Sequence, residues 1–241
     1  MIRLEDICFR YTDRDVLSHV DLEVARGTAV AFIGPNGCGK STLMKLISGV
    51  VAPRRGRYVF DGEEITPQRL QEPSFAKRFH QRVGFLFQAP EAQLFCPTVE
   101  EEVAFGPRQM ALADEEVDRR TTDTLRLLGI DALRDRVPYH LSGGERRRVA
   151  LAAVLALNPD TLLLDEPMNG LDPRMKEFLR GLLLSLRRAG KTILCATHDF
   201  RYVEDVFETA VVLSGEHRIA RVGPYREVVA DEGFLRTLDV I

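Results

Sequence analysis

Three glycines, a lysine and a hydroxyl stand at telling intervals in Gly34-Pro35-Asn36-Gly37-Cys38-Gly39-Lys40-Ser41. Glycines at these positions free backbone N–H groups to turn inward around phosphates. Lys40 then adds a point charge for the β and γ groups, and Ser41 offers a hydroxyl to Mg²⁺. A helix beginning at the end of the run would aim its positive end at the same anion. A second chemical pair, Asp165 and Glu166, closes the apolar run that starts at Thr161. Asp165 would hold Mg²⁺ through water, and Glu166 could polarise an attacking water as general base. Alone, two such carboxylates are equally an ordinary polar strand end. With a phosphate loop in the same chain, the catalytic reading prevails. A third run, Ser142-Gly143-Gly144-Glu145, reads two ways: a helix start with a capping box, and an anion-binding helix terminus.

Elements must exist to place these groups. GTAVAFI (residues 27–33) reads as a strand buried on both faces, followed by a helix with Leu43, Leu46, Ile47 and Val50 at helical spacing and Gly49 and Pro53 at its close. TLLLDEP (161–167), KTILCAT (191–197) and VGFLFQ (83–88) read as further buried strands. Residues 55–65 suit a hairpin turning at Asp61-Gly62, and residues 210–223 suit another. A helix is expected from Pro173, with Asp172 as its N-cap. From Pro97 the chain turns acidic and helical, and residues 225–235 read as a helical tail. Strands alternating with helices imply an α/β fold, a mostly parallel sheet with crossover connections.

The expected organisation is one domain over 1–241. Residues 1–88 and 158–223 form a nucleotide-binding core with an N-terminal β-subdomain, 89–157 an inserted helical subdomain, and 224–241 a tail. Composition narrows the function. With 45% hydrophobic and 29% charged residues in 241, the chain is globular rather than disordered. A net charge of -3 argues against a nucleic-acid surface. The four cysteines lack CxxC spacing and the five histidines show no metal-ligand spacing, so neither a disulfide framework nor a zinc site is expected. No secretory signal is read at the start, and no apolar run reaches the roughly 18 residues of a membrane span. Work at a membrane would need another chain to supply the span.

With these residues in view, the sequence resembles the ATPase subunits of ABC transporters. GPNGCGKST, Gly34 to Thr42, is similar to their Walker A motif, TLLLDE to Walker B and LSGGE to the signature. Asn169 to Asp172 resembles the D-loop, His198 in ATHD the switch histidine, and Gln88 the Q-loop glutamine. Tyr11 falls where the family stacks an aromatic ring on adenine. The resemblance spans about residues 2–223. It implies a P-loop NTPase with an antiparallel N-terminal β-subdomain and an inserted α-helical subdomain. ATP would lie against Tyr11 and the whole run Gly34, Pro35, Asn36, Gly37, Cys38, Gly39, Lys40, Ser41 and Thr42. Mg²⁺ would be held by Ser41, Gln88 and Asp165. Glu166, His198, Lys40 and Gln88 would be catalytic. A second ATPase protomer would bring Ser142, Gly143 and Gly144 to the facing site, and Asp172 of the D-loop would belong to the nucleotide-binding set. Thr28 and Met168 depart from common family choices without touching the phosphate chemistry.

The stretch QAPEAQLFCPTVEEEVAFGP, from Gln88 to Pro107, most closely resembles the energy-coupling factor (CbiO-like) branch. That resemblance implies a transmembrane coupling protein docking near Leu94 and Phe95, a separate membrane substrate-binding subunit, and a peripheral place on the cytoplasmic face. Two large apolar residues in a loop suit a groove for partner helices, or simply pack on the helical subdomain. The cargo implied is cobalt or nickel, with biotin or another vitamin open, and a conventional ABC transporter subunit as the other alternative.

Overall fold

The computed structural model describes residues 1–241, the side chains of Glu91 and Arg201 excepted. The chain forms two compact units, residues 1–76 with 161–241, and residues 77–160. The first begins with β1 (Ile2–Arg10), β2 (Asp15–Val24), β3 (Ala29–Ile33), α1 (Lys40–Ile47), β4 (Arg55–Phe60), β5 (Glu63–Glu64) and α2 (Pro67–Gln71). A polar helix, α3 (Pro73–Arg82), follows. The second unit holds β6 (Val83–Leu86), α4 (Val99–Gln109), α5 (Asp114–Leu127) and α6 (Gly143–Ala156). The first resumes with β7 (Thr161–Asp165), α7 (Pro173–Arg188), β8 (Thr192–Ala196), β9 (Thr209–Leu213), β10 (Ile219–Pro224), α8 (Tyr225–Ala230) and α9 (Glu232–Thr237).

In the first unit β3 pairs in parallel with β8 and β9, and β7 pairs in parallel with β8. β10 joins β9 antiparallel, closing the second expected hairpin. β3, β7 and β8 are buried at every residue, as continuous apolar runs covered on both faces must be. A separate antiparallel sheet runs β2-β1-β4-β5. Asp61 and Gly62 adopt left-handed φ between β4 and β5, the conformation a tight hairpin needs. Tyr58 of β4 is 1% exposed and donates its hydroxyl to the Ile47 carbonyl at 2.8 Å, tying this sheet to the end of α1.

The second unit is the helical block, and its span of residues 77–160 also takes in β6. A Cβ on Gly84 would fall 2.7 Å from Val154 and 2.9 Å from Pro159, so only glycine lets the α6 region lie this close to the strand. Val99 and Val103 of α4, Val117 and Leu125 of α5, and Val149 and Ala152 of α6 form its apolar core. Two helices escaped the sequence reading. α2 starts at Thr66, whose side chain caps it, with Pro67 at N1. α3 shows only Phe75 and Phe79 as a buried pair on an otherwise polar surface. The tail is two short helices rather than one, because Asp231 breaks away and caps the second through the Phe234 N–H at 3.1 Å.

Candidate active site

β3 delivers the chain to Gly34, and α1 carries it away from Lys40. Gly39, at the N-cap, sits at φ 111°. A Cβ there would lie 2.4 Å from the Val16 carbonyl oxygen and 3.0 Å from Leu17, so β2 is the wall behind the loop. Asn36 and Gly37 form the exposed tip, Pro35 is half-buried, and Thr42 is buried in α1. Lys40 is only 7% exposed, and its ammonium donates to the Gly34 and Pro35 carbonyls at 2.6 and 3.0 Å. Its charge is thereby held inside the loop. Burial pushes the neighbouring Cys38 thiol above its usual range against the pull of Lys40. The His217 ring lies 3.3 Å from the Cys38 carbonyl, closing the loop from the β9–β10 turn. Tyr11, just past β1, is 52% exposed and meets buried Phe9 edge-on at 4.9 Å.

The parallel sheet brings the carboxylates to this loop. Asp165 ends β7, is 3% exposed and accepts a hydrogen bond from the Ser41 hydroxyl. Burial raises its pKa, opposed by Ser41 and Lys40. A hydroxyl and a carboxylate side by side are hard oxygen donors, the set magnesium prefers. Glu166 follows in a left-handed conformation at φ 50°, its N–H reaching the Ala196 carbonyl at 3.0 Å. That turn swings its side chain to His198, whose Nε2 lies 3.0 Å from Oε1. No donor points squarely at that buried oxygen, so the two side chains meet without a formed hydrogen bond. Burial pushes the Glu166 carboxyl above its ordinary value, while His198 and Lys40 pull it down. A carboxylate raised in this way is a stronger base.

Thr197 fixes the turn that carries His198. It is 1% exposed, and its hydroxyl accepts the Asp199 N–H at 3.1 Å. Lys176 of α7 then pairs with Asp199 at 2.8 Å. Asp172 caps α7 through the Met175 N–H at 2.9 Å. One unit thus gathers Lys40, Ser41, Asp165, Glu166 and His198 from three separate stretches of chain.

The second unit carries the remaining expected residues. Gln88 is exposed just past β6, ahead of a short 3₁₀ turn at Pro90–Gln93. Gln93 anchors this turn, accepting the Phe87 N–H at 3.1 Å and donating to the Phe85 carbonyl at 3.2 Å. Leu94 is half-buried, whereas Phe95 is 68% exposed and leans edge-on against Phe105 at 4.9 Å. The backbone beneath them hangs on Glu102, only 4% exposed, whose carboxylate accepts from the Phe95 and Cys96 N–H groups at 2.8 and 2.7 Å. Burial and this carboxylate push the Cys96 thiol up to about 11. Sequence reasoning missed both Gln93 and Glu102. A signal for Glu102 existed, since it shares the buried helical stripe of Val99 and Val103. At α6, Ser142 accepts the Glu145 N–H and Glu145 accepts the Ser142 N–H at 2.8 Å, a complete capping box. Ser142, Gly143 and Gly144 are exposed, with open space where a Cβ on either glycine would stand.

The ABC transporter family model matches residues 17–169. An energy-coupling factor transporter ATP-binding protein EcfA from Methanothermobacter thermautotrophicus is 39% identical over 98% of this chain and 75% of its own length. The chain belongs to the ABC transporter ATPases, in the energy-coupling factor branch. This ATPase is also similar to the nickel import ATP-binding protein LarO of Lactiplantibacillus plantarum, 46% identical over 91% of each chain. Its fold matches CbiO1 from Clostridium perfringens, part of the cbiONQ complex, at 33% identity and a TM-score of 0.83, over 99% of this chain and 94% of that one. The ATPase is an enzyme that binds and hydrolyses ATP. Among its described residues, no helix is long and apolar enough to cross a membrane.

Proposed function

We propose that this ATPase drives uptake of nickel or cobalt ions, working as one of a pair of ATPases docked on a membrane coupling protein at the cytoplasmic face. The observation that carries the chemistry is Glu166, buried and set 3.0 Å from His198 beside the Ser41–Asp165 pair. Lys40 and the loop amides bind the phosphate chain, and Tyr11 stacks on the base. Ser41 and Asp165 would hold magnesium, which would supply charge neutralisation at the β- and γ-phosphates. Glu166 takes a proton from water as it attacks the γ-phosphorus, and His198 orients that water. Ser142, Gly143 and Gly144 present an exposed helix N-terminus to the γ-phosphate bound by a partner protomer. Asp172 and the turn it caps line the same junction.

The cargo reading is supported by the 46% identity to a nickel import relative. Docking is supported by the exposed Phe95 beside half-buried Leu94, a loop tied back toward Gln88 through Gln93. Glu166→Gln is expected to bind ATP, hydrolyse it at least about 100-fold more slowly and accumulate an ATP-bound dimer. Near-normal turnover in the assembled transporter would sink the general-base role. Replacing Leu94 and Phe95 with serine should release the ATPase from its membrane partner while ATP binding persists. For the cargo, cells relying on this transporter should lose radioactive nickel or cobalt uptake with Glu166→Gln. Loss of biotin uptake alone would refute the metal reading.

A further inference from the structure

The spacing of cysteines and histidines along the chain announces no metal site, yet the antiparallel sheet assembles one kind of donor set across strands. β1 and β2 each break their alternation once. Leu4 and Ile7 are both buried three residues apart, as are Leu17 and Val20, and the register shifts on either side of the Ile7–Val20 pair that separates the two breaks. Asp6 and His19 take left-handed φ of 51° and 50° at the two bulges. Bulges re-aim side chains, and here they turn Asp6, Cys8 and His19 onto one outward face. A carboxylate oxygen, the Cys8 sulfur and an imidazole nitrogen all lie within 4.8 Å of one another.

We infer that Asp6, Cys8 and His19 bind a late first-row divalent metal ion, zinc, nickel or cobalt, through one oxygen, one sulfur and one nitrogen. Mixed imidazole, thiolate and carboxylate donors select these ions over magnesium or calcium. Three protein ligands leave a fourth tetrahedral position for water. One carboxylate and one thiolate balance the ion's double charge. Metal–ligand bonds of about 2.0–2.3 Å place tetrahedral donors about 3.3–3.7 Å apart. His19 Nδ1 and Asp6 Oδ1 stand at 2.6 Å, so an ion replaces their hydrogen bond with a separation of under about 1 Å. The outer partners are present. Arg55 pairs with the other Asp6 oxygen at 2.8 Å, leaving Oδ1 to the ion. The His19 backbone N–H points at Cys8 Sγ at 3.4 Å, an outer partner that helps orient the sulfur. This site lies in the β-sheet and is independent of the nucleotide chemistry and of the proposed cargo.

The test titrates chelator-treated, nucleotide-free protein with Co²⁺. One equivalent should bring thiolate-to-cobalt charge-transfer absorption in the near ultraviolet and tetrahedral bands in the visible, both erased by one equivalent of Zn²⁺. Cys8→Ser should abolish the charge-transfer band. Cys8→Ser, His19→Ala and Asp6→Asn should each weaken Co²⁺ binding about 10- to 100-fold or more, with melting temperature and ATP binding retained as controls for folding. Cys96→Ser should leave the spectrum unchanged. Absence of the bands at stoichiometric Co²⁺ overturns the inference, as does a spectrum that survives in Cys8→Ser or disappears in Cys96→Ser.

Discussion

Removing the Glu102 side chain with Glu102→Ala deprives the Phe95 and Cys96 N–H groups of their shared acceptor, held at 2.8 and 2.7 Å. Hydrogen bonds to an ionised group contribute about 1.5–3 kcal/mol each, and two that share one acceptor do not add fully. The loss is therefore about 3 kcal/mol, confined to opening of this loop. At about 1.4 kcal/mol per tenfold, the two amides should exchange with deuterium roughly 100-fold faster, measured residue by residue by NMR. Glu102→Gln keeps the shape but offers a neutral acceptor, about half as strong, so exchange should rise only about tenfold. It also removes a charge that holds the Cys96 thiol near 11, so Cys96 should alkylate faster with iodoacetamide at mildly alkaline pH. Glu102 and the Lys40 loop lie in different units, and ATP affinity should stay unchanged. Unaltered protection in Glu102→Ala, or equal effects of alanine and glutamine, would refute the claim that this carboxylate suspends the loop.

Gly39→Ala combines left-handed strain of about 1–2 kcal/mol with overlap on the Val16 carbonyl. The melting temperature should fall by about 4 °C or more and ATP binding should fail; an alanine variant that binds and melts normally would show the wall is not rigid. Burial raises the folded-state pKa of Glu166 above its unfolded value, so ionised Glu166 destabilises the folded protein above that value, and the penalty fades as pH falls through it. Nucleotide-free Glu166→Gln should then melt higher than wild type at neutral pH, with the gap closing on acidification; a lower melting temperature at every pH would count against it. Ser142→Ala removes the α6 cap and should cost about 1 kcal/mol. Hydrogen bonds from Ser142 hold the Glu145 carboxyl below its usual range, so this benefit exists above the ordinary glutamate range and is lost as pH drops through the folded-state value. The share of the wild-type advantage that comes from ionised Glu145 should fade in acid while the Ser142 cap on the Glu145 N–H persists; an advantage with no pH dependence at all would contradict the reciprocal pairing.

The phosphate loop, the β7 carboxylates and the α6 cap were legible because each rests on local chemistry: glycine where φ must be positive, polar residues where an apolar strand ends, a Ser–Glu pair three apart. The parallel sheet followed from continuous apolar runs at Thr161 and Lys191. What stayed hidden depends on distant partners. Glu102 looks like one of three acidic residues opening a helix until Phe95 and Cys96 fold beneath it. Gln93 reads as loop until it pairs with the edge of β6. The close approach of α6 to β6 was hidden too, because Gly84 admits Val154 and Pro159 in a contact no window of sequence displays. α2 and α3 lack an apolar stripe, so periodicity passed over them. Asp6 and Cys8 meet His19 only because β1 and β2 each bulge, one on either side of the Ile7–Val20 pair.

Gly143 and Gly144 lead to a different kind of consequence. Neither has a left-handed φ, and an added methyl on either would meet nothing. Alanine at these first-turn positions would raise helix propensity by up to about 1 kcal/mol each. The fold therefore gives no internal reason for two glycines, and it forgoes stability by keeping them. The proposed pairing supplies a reason from outside the chain, a partner surface that would approach this helix end more closely than a methyl permits. Gly143→Ala should accordingly yield a protein that melts higher alone and works worse when paired, separating what the monomer prefers from what the assembly requires.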